Sequence, residues 1–167
     1  MARSAGNEKR NPANKKSSKT GTKTARKTKE TKSIKYADKS VNQPDLVPVF
    51  NELVSLLKPF AKLSLTFKGG TAGSATVSSV KPVEIAGKKL DELFFAGVLV
   101  QKGYVGFYFF PIYVHPDLKS ELSPDLLKKL KGKTCFHIKK IDPETKTHIN
   151  DALKKGYSLY KNKGWIS

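Results

Sequence analysis

The chain has 167 residues, with 32 Lys and Arg against 14 Asp and Glu, for a formal net charge of +18 at pH 7. That length suits one domain of ordinary size plus an extension. Cys135 is the only cysteine, which excludes an internal disulfide framework and points to a reducing cytoplasm. No run approaches the ~20 apolar residues of a membrane helix, so no membrane partner is expected.

Residues 1–43 hold ten Lys and three Arg against Glu8, Glu30 and Asp38, a net +10. Their large apolar residues are Met1, Ile34, Tyr36 and Val41. These are too few to offset the entropy of ordering, so a disordered Lys-rich tail is expected ahead of a domain over residues 44–167. The tail lacks the apolar core of a secretory signal and the periodic apolar residues of a mitochondrial presequence. Its cations would attract polyanions in a salt-dependent manner. Lys15, Lys16, Lys19, Lys23, Arg26, Lys27 and Lys29 are the expected contacts to nonspecific nucleic acid.

From Pro44 onward the pattern is globular. Leu46, Val49, Phe50, Leu53, Leu56 and Leu57 recur at helical spacing behind Asp45, a capping residue, and Pro59 is expected to end that helix. "AKLSLTFKGG" reads as a strand with Leu63, Leu65 and Phe67 on one side, and "GGTAGSA" as a flexible loop. "SSVKPVEIAGKK" reads as an edge strand, where Pro82 is tolerated. "DELFFAGVLVQ" and "YVGFYFFPIY" are two strands joined by a hairpin turn at Gly103. Ser123 caps a short helix opened by Pro124, and Gly132 is expected just past its end. "KTCFHIKK" is a further strand. Asp142 and Pro143 open a last helix whose Ile149, Ala152, Leu153, Gly156 and Tyr160 share a face. This order predicts an α+β fold, a two-layer sandwich with a mainly antiparallel sheet and helices on one face.

The motifs exclude more than they assign. "LKGKT" ends like a P-loop, but Leu127 stands where the first glycine belongs and a helix precedes it. "KGYVGFYFF" begins like the aromatic RNA-binding strand of an RRM, then places Val105 and Gly106 out of register. Cys135 and His137 lie two apart on a strand and share a face, but two ligands do not make a metal site. Asp91 and Glu92 are adjacent on a strand and point apart. Neither a G-x-S-x-G elbow nor an H-E-x-x-H pair occurs. A non-enzymatic protein without catalytic residues is expected.

The aromatic strand offers a binding surface. Val105, Phe107 and Phe109 fall on one face, with Tyr104, Gly106, Tyr108 and Phe110 on the other. Helices on one side cover one of these rows, and tyrosine hydroxyls suit the wet one. Tyr104, Tyr108, Cys135 and His137 are therefore the candidate binding face.

"LFFAGVLVQKGYVGFYFFPIY", "SPDLLKKLKGKTCFHIKK" and the closing "YKNKGW" resemble the YdhG-like family of small, mostly bacterial domains of unknown function, over roughly residues 46–166. The resemblance implies a compact, broadly frataxin-like α+β fold. One branch of that family is described as frataxin-like iron chaperones, so iron is the one cofactor the resemblance implies. It supplies no catalytic residues. The expected function is a non-enzymatic binding domain whose ligand or protein partner sits on the aromatic sheet face. Nucleic-acid association through the tail and iron carriage are the alternatives.

Overall fold

A computed structural model describes residues 37–167. Residues 1–36 of the expected tail, including every named polyanion contact from Lys15 to Lys29, lie outside the described residues.

Helix α1 (Leu46–Ala61) buries Leu46, Val49, Phe50, Leu53, Val54, Leu57 and Phe60 along one stripe. Asp45 stands at its N-cap but makes no side-chain bond to the first turn. Pro59 lies inside the last turn instead of ending the helix. A proline there forfeits one backbone bond near an end. Phe60 holds the turn beyond it, buried with its ring 6.0 Å from that of Phe95.

Strands β1 (Thr66–Thr71) and β2 (Ser74–Ser79) form a hairpin. Ala72 and Gly73 turn it with φ of 53° and 65°, as a two-residue primed turn requires. The stretch expected as a flexible loop is thus a tight hairpin tip. Leu63 precedes β1 and is 63% exposed, whereas Leu65 is buried, so the expected common face fails at Leu63. The expected edge strand around Pro82 divides. Its serines end β2, while β3 (Val83–Ile85) and β4 (Lys88–Leu90) make a separate two-stranded ribbon.

Strands β5 (Leu93–Gln101) and β6 (Tyr104–Phe109) form the central hairpin, with Gly103 at φ 80° in its turn. Gln43 clamps that turn, accepting the Gly103 N–H at 2.5 Å and donating to the Gln101 carbonyl at 3.0 Å. Lys39 adds a bond to the Gln101 side chain at 2.7 Å. The folded unit therefore takes in residues ahead of Pro44, the expected boundary. After β6 the chain turns into α2 (Pro111–Val114), a 3-10 turn (Pro116–Glu121) and α3 (Pro124–Leu127), which Ser123 caps by accepting the Asp125 N–H.

Strands β7 (Leu130–Lys131) and β8 (Cys135–Ile138) follow as a hairpin, with Gly132 at φ 77° between them. Gly132 is therefore a hairpin glycine, neither a phosphate-loop residue nor the expected helix cap. Helix α4 (Pro143–Asn162) starts where expected, with Asp142 accepting the Thr145 N–H at 2.7 Å.

The main sheet has the order β1-β2-β5-β6-β8-β7, with every pair antiparallel. Helices α1 and α4 pack on one face, giving the expected α+β sandwich. Phe95 is the joint between the layers: its ring meets Phe60 of α1, Tyr160 of α4 and Phe109 of β6 at 5.1–6.0 Å. The β2–β5 register slips at Phe95, which has no partner between Phe94 and Ala96. This bulge lets Phe95 and Ala96 both bury, and it shifts the alternation of every later residue in β5. The Tyr160 hydroxyl caps the carbonyl of Phe94 beside the bulge at 2.7 Å.

Gly156 lets α4 approach the sheet. A Cβ there would stand 2.6–2.8 Å from the Phe109 ring and Pro111. Alanine is the better helix former by about 1 kcal/mol, yet overpacking costs about 1–3 kcal/mol. Gly156→Ala should therefore lower stability in urea denaturation. A stabilised variant would contradict this packing.

The open face of the sheet as a candidate functional site

Strand β6 divides as its alternation requires. Val105, Phe107 and Phe109 are fully buried against the helix layer. Tyr104 and Tyr108 face the other way and are half-buried. Register extends that second face across the sheet. One row runs Thr76, Gly97, Tyr108, Cys135, Lys131, and the next runs Ser74, Leu99, Gly106, His137. Gln101 lies opposite Tyr104. The four residues expected to share a face, Tyr104, Tyr108, Cys135 and His137, do come together there.

Their packing is specific. The Tyr104 and His137 rings stack with centroids 3.7 Å apart and an interplanar angle of 15°. Gly106 lies beneath Tyr108: a Cβ at Gly106 would stand 2.9 Å from that ring. Gly97 plays the same part for Phe94, whose ring would be 3.2 Å from an added Cβ. Two glycines in adjacent strands thus let two aromatic rings pack close against the sheet. Ser74, Thr76, Phe94, Gly97, Leu99, Gln101 and Tyr108 line a depression of about 420 Å³ beside them.

The Tyr108 phenol and the Cys135 thiol stay protonated at neutral pH. Burial pushes the Tyr108 phenol up to about 12, helped by Cys135 and Tyr104 and opposed by a hydrogen bond with Gln101. Burial also raises the Cys135 thiol, opposed by its hydrogen bond with Tyr108. A thiol held protonated is a weak nucleophile and a weak metal ligand. Tyr108 and Cys135 therefore present neutral donors on an apolar floor.

Carboxylates are placed elsewhere. Asp91 and Glu92 lie in a bend ahead of β5 and not on a strand as expected. Glu92 pairs with Lys68 at 2.7 Å, and that contact holds its carboxyl below the usual range. In the second turn of α1, Glu52 pairs with Lys146 at 2.6 Å. Asp45, Glu52 and Asp142 line one depression together with Lys139, Lys140 and Lys146. Three lysines stand beside the three carboxylates there, and Asp142 already accepts the Thr145 N–H. Among the described residues, no three His, Cys, Asp or Glu side chains gather into a group that could hold an ion.

Sequence reasoning missed Phe94, Gly97, Leu99 and Gln101. The bulge hides them, because strict alternation through "LFFAGVLV" puts Phe95 and Gly97 on the same face. A glycine inside each of two neighbouring strands was the available signal.

The sign of the Tyr108 shift yields a pH dependence. A phenol raised from 10.0 to about 12 on folding stabilises the fold fully below pH 10, and the contribution is lost as pH rises toward 12. Tyr160, also raised by burial, adds a loss of the same sign. Tyr108→Phe should therefore lose less urea stability than the parent between pH 10 and about 12, each measured against its own value at pH 9. Equal losses would contradict the buried phenol.

No family model matches the chain, and neither does any curated protein or solved structure.

Proposed function

We propose that the chain is a non-enzymatic, YdhG-like binding domain whose open sheet face seats a flat aromatic ligand. The observation that carries this is the pair of glycine floors at Gly97 and Gly106, on which the Phe94 and Tyr108 rings pack closely beside a depression of about 420 Å³. An apolar floor with a few fixed polar groups is the usual make-up of a small-molecule site. The protonated Tyr108 phenol and the Gln101 amide supply those groups. A cytoplasmic setting fits a half-buried thiol that has no disulfide partner.

Amide shift mapping on 15N-labelled protein tests the reading with indole, quinoline and adenine as probes. The largest shifts should fall on Gly97, Leu99, Gly106, Tyr108 and Cys135. Thr76→Trp, which fills the depression opposite Gly97, should abolish them. Shifts elsewhere, or none from any probe, would sink the proposal.

Nucleic-acid association through residues 1–43 is a second reading, favoured by thirteen cations against three acids in that segment. It expects a chain beginning at Tyr36 to bind DNA more weakly and with a shallower salt dependence. Equal binding by the two chains contradicts it.

A further inference from the structure

We infer that the β6–β8–β7 edge of the open face binds single-stranded nucleic acid. Bases stack on the Tyr104–His137 pair, and phosphates are held by Lys129, Lys131 and Lys139. This rests on the reading of the open face as a binding surface and names a ligand class for its basic end.

Register places the lysines. Lys131 pairs with Cys135 and so shares the face of Tyr108. The Lys129 carbonyl accepts the His137 N–H at 2.9 Å, which sets Lys129 opposite His137. Lys139 lies in the bend just past the end of β8 and lines the same cleft as His137. Together with His137 these lysines line a cleft of about 560 Å³. His137 is thus shared by the cleft and the ring stack, so the positive and aromatic surfaces are continuous.

The charge in the cleft is largely uncompensated. Among the described residues, Asp142 is its one lining carboxylate, and it already caps α4 through the Thr145 N–H. Lys128 is paired with Asp125 at 2.6 Å. Among the described residues, the other ion pairs are Lys68–Glu92, Lys146–Glu52 and Lys154–Asp151. Lys129, Lys131 and Lys139 belong to none of them.

An anion is the complement of this surface, and the stacked rings select the kind. Stacking needs a free π-face, which single strands present and duplexes keep internal. Lysines on an edge strand also deter pairing with another chain. That role needs charge alone and gives no reason for a stacked Tyr–His pair beside them.

Fluorescence anisotropy on the full chain tests the inference with four labelled 12-mers: oligo-dT, oligo-rU, an abasic deoxyribose-phosphate strand, and a duplex. One base stacked on an aromatic side chain is worth about tenfold in affinity. The better of dT and rU should therefore bind about tenfold tighter than the abasic strand or the duplex. Which of the two leads decides between DNA and RNA. Tyr104→Leu should erase the preference, and Tyr104→Phe should restore it. K129Q/K131Q/K139Q should weaken every strand and lower the salt slope by about 2, at about 0.7 per phosphate contact. K15Q/K16Q/K19Q should lower the slope without changing the base preference. Equal binding of base-bearing and abasic strands overturns the inference, as does a preference that survives Tyr104→Leu in a variant melting with the parent. If indole still shifts Gly97 after such a failure, the aromatic-ligand reading stands alone. If both fail, both fall.

Discussion

Among the described residues, the helices cover only one face of the main sheet, and the rest of the architecture follows from that asymmetry. A strand in the middle of such a sheet must bury one row of side chains and leave the other to water. β6 does this with Val105, Phe107 and Phe109 against α1 and α4, and with Tyr104 and Tyr108 outward. The buried row joins the Phe95, Tyr160 and Phe60 rings into one aromatic core. The outward row cannot be packed in that way. It lowers its exposure by lying on glycine and by stacking on His137. The resulting surface is half-buried, apolar at its floor and polar at its rim.

The bulge at Phe95 couples the two faces. It allows consecutive residues Phe95 and Ala96 to point into the core. The same phase change sends Gly97, Leu99 and Gln101 to the open side, opposite Tyr108, Gly106 and Tyr104. The Tyr160 hydroxyl, bonded to the Phe94 carbonyl, ties this irregularity to α4. The depression on the open face is therefore set from the core side, through a helix that never touches it.

Much of this was legible in the sequence where periodicity is strong. The long helices, the β5–β6 hairpin, the Ser123 and Asp142 caps and the two-faced character of β6 follow from apolar spacing and turn chemistry. Gly132 was misassigned because helix-cap and hairpin glycines both require positive φ, and "LLKKLKGK" carries no mark of where the helix stops. Pro59 was misplaced because its penalty is small next to the burial of Phe60. "GGTAGSA" reads as flexible from composition, whereas Ala72 accepts a left-handed φ of 53° to close a tight turn. At the site, alternation found Tyr104, Tyr108, Cys135 and His137. It could not find Gly97 or Leu99 across a one-residue slip, nor the cleft lysines, whose convergence on His137 depends on β7 pairing with β8.

A ligand can reach the open face only if Tyr104 and His137 meet solvent in the full-length chain. Photo-CIDNP NMR on the full-length protein tests it directly, because a flavin dye polarises only those tyrosine and histidine rings it can touch. Tyr104 and His137 should polarise while Tyr160, fully buried, stays dark. If Tyr104 and His137 are as dark as Tyr160, the face is covered and the account is contradicted.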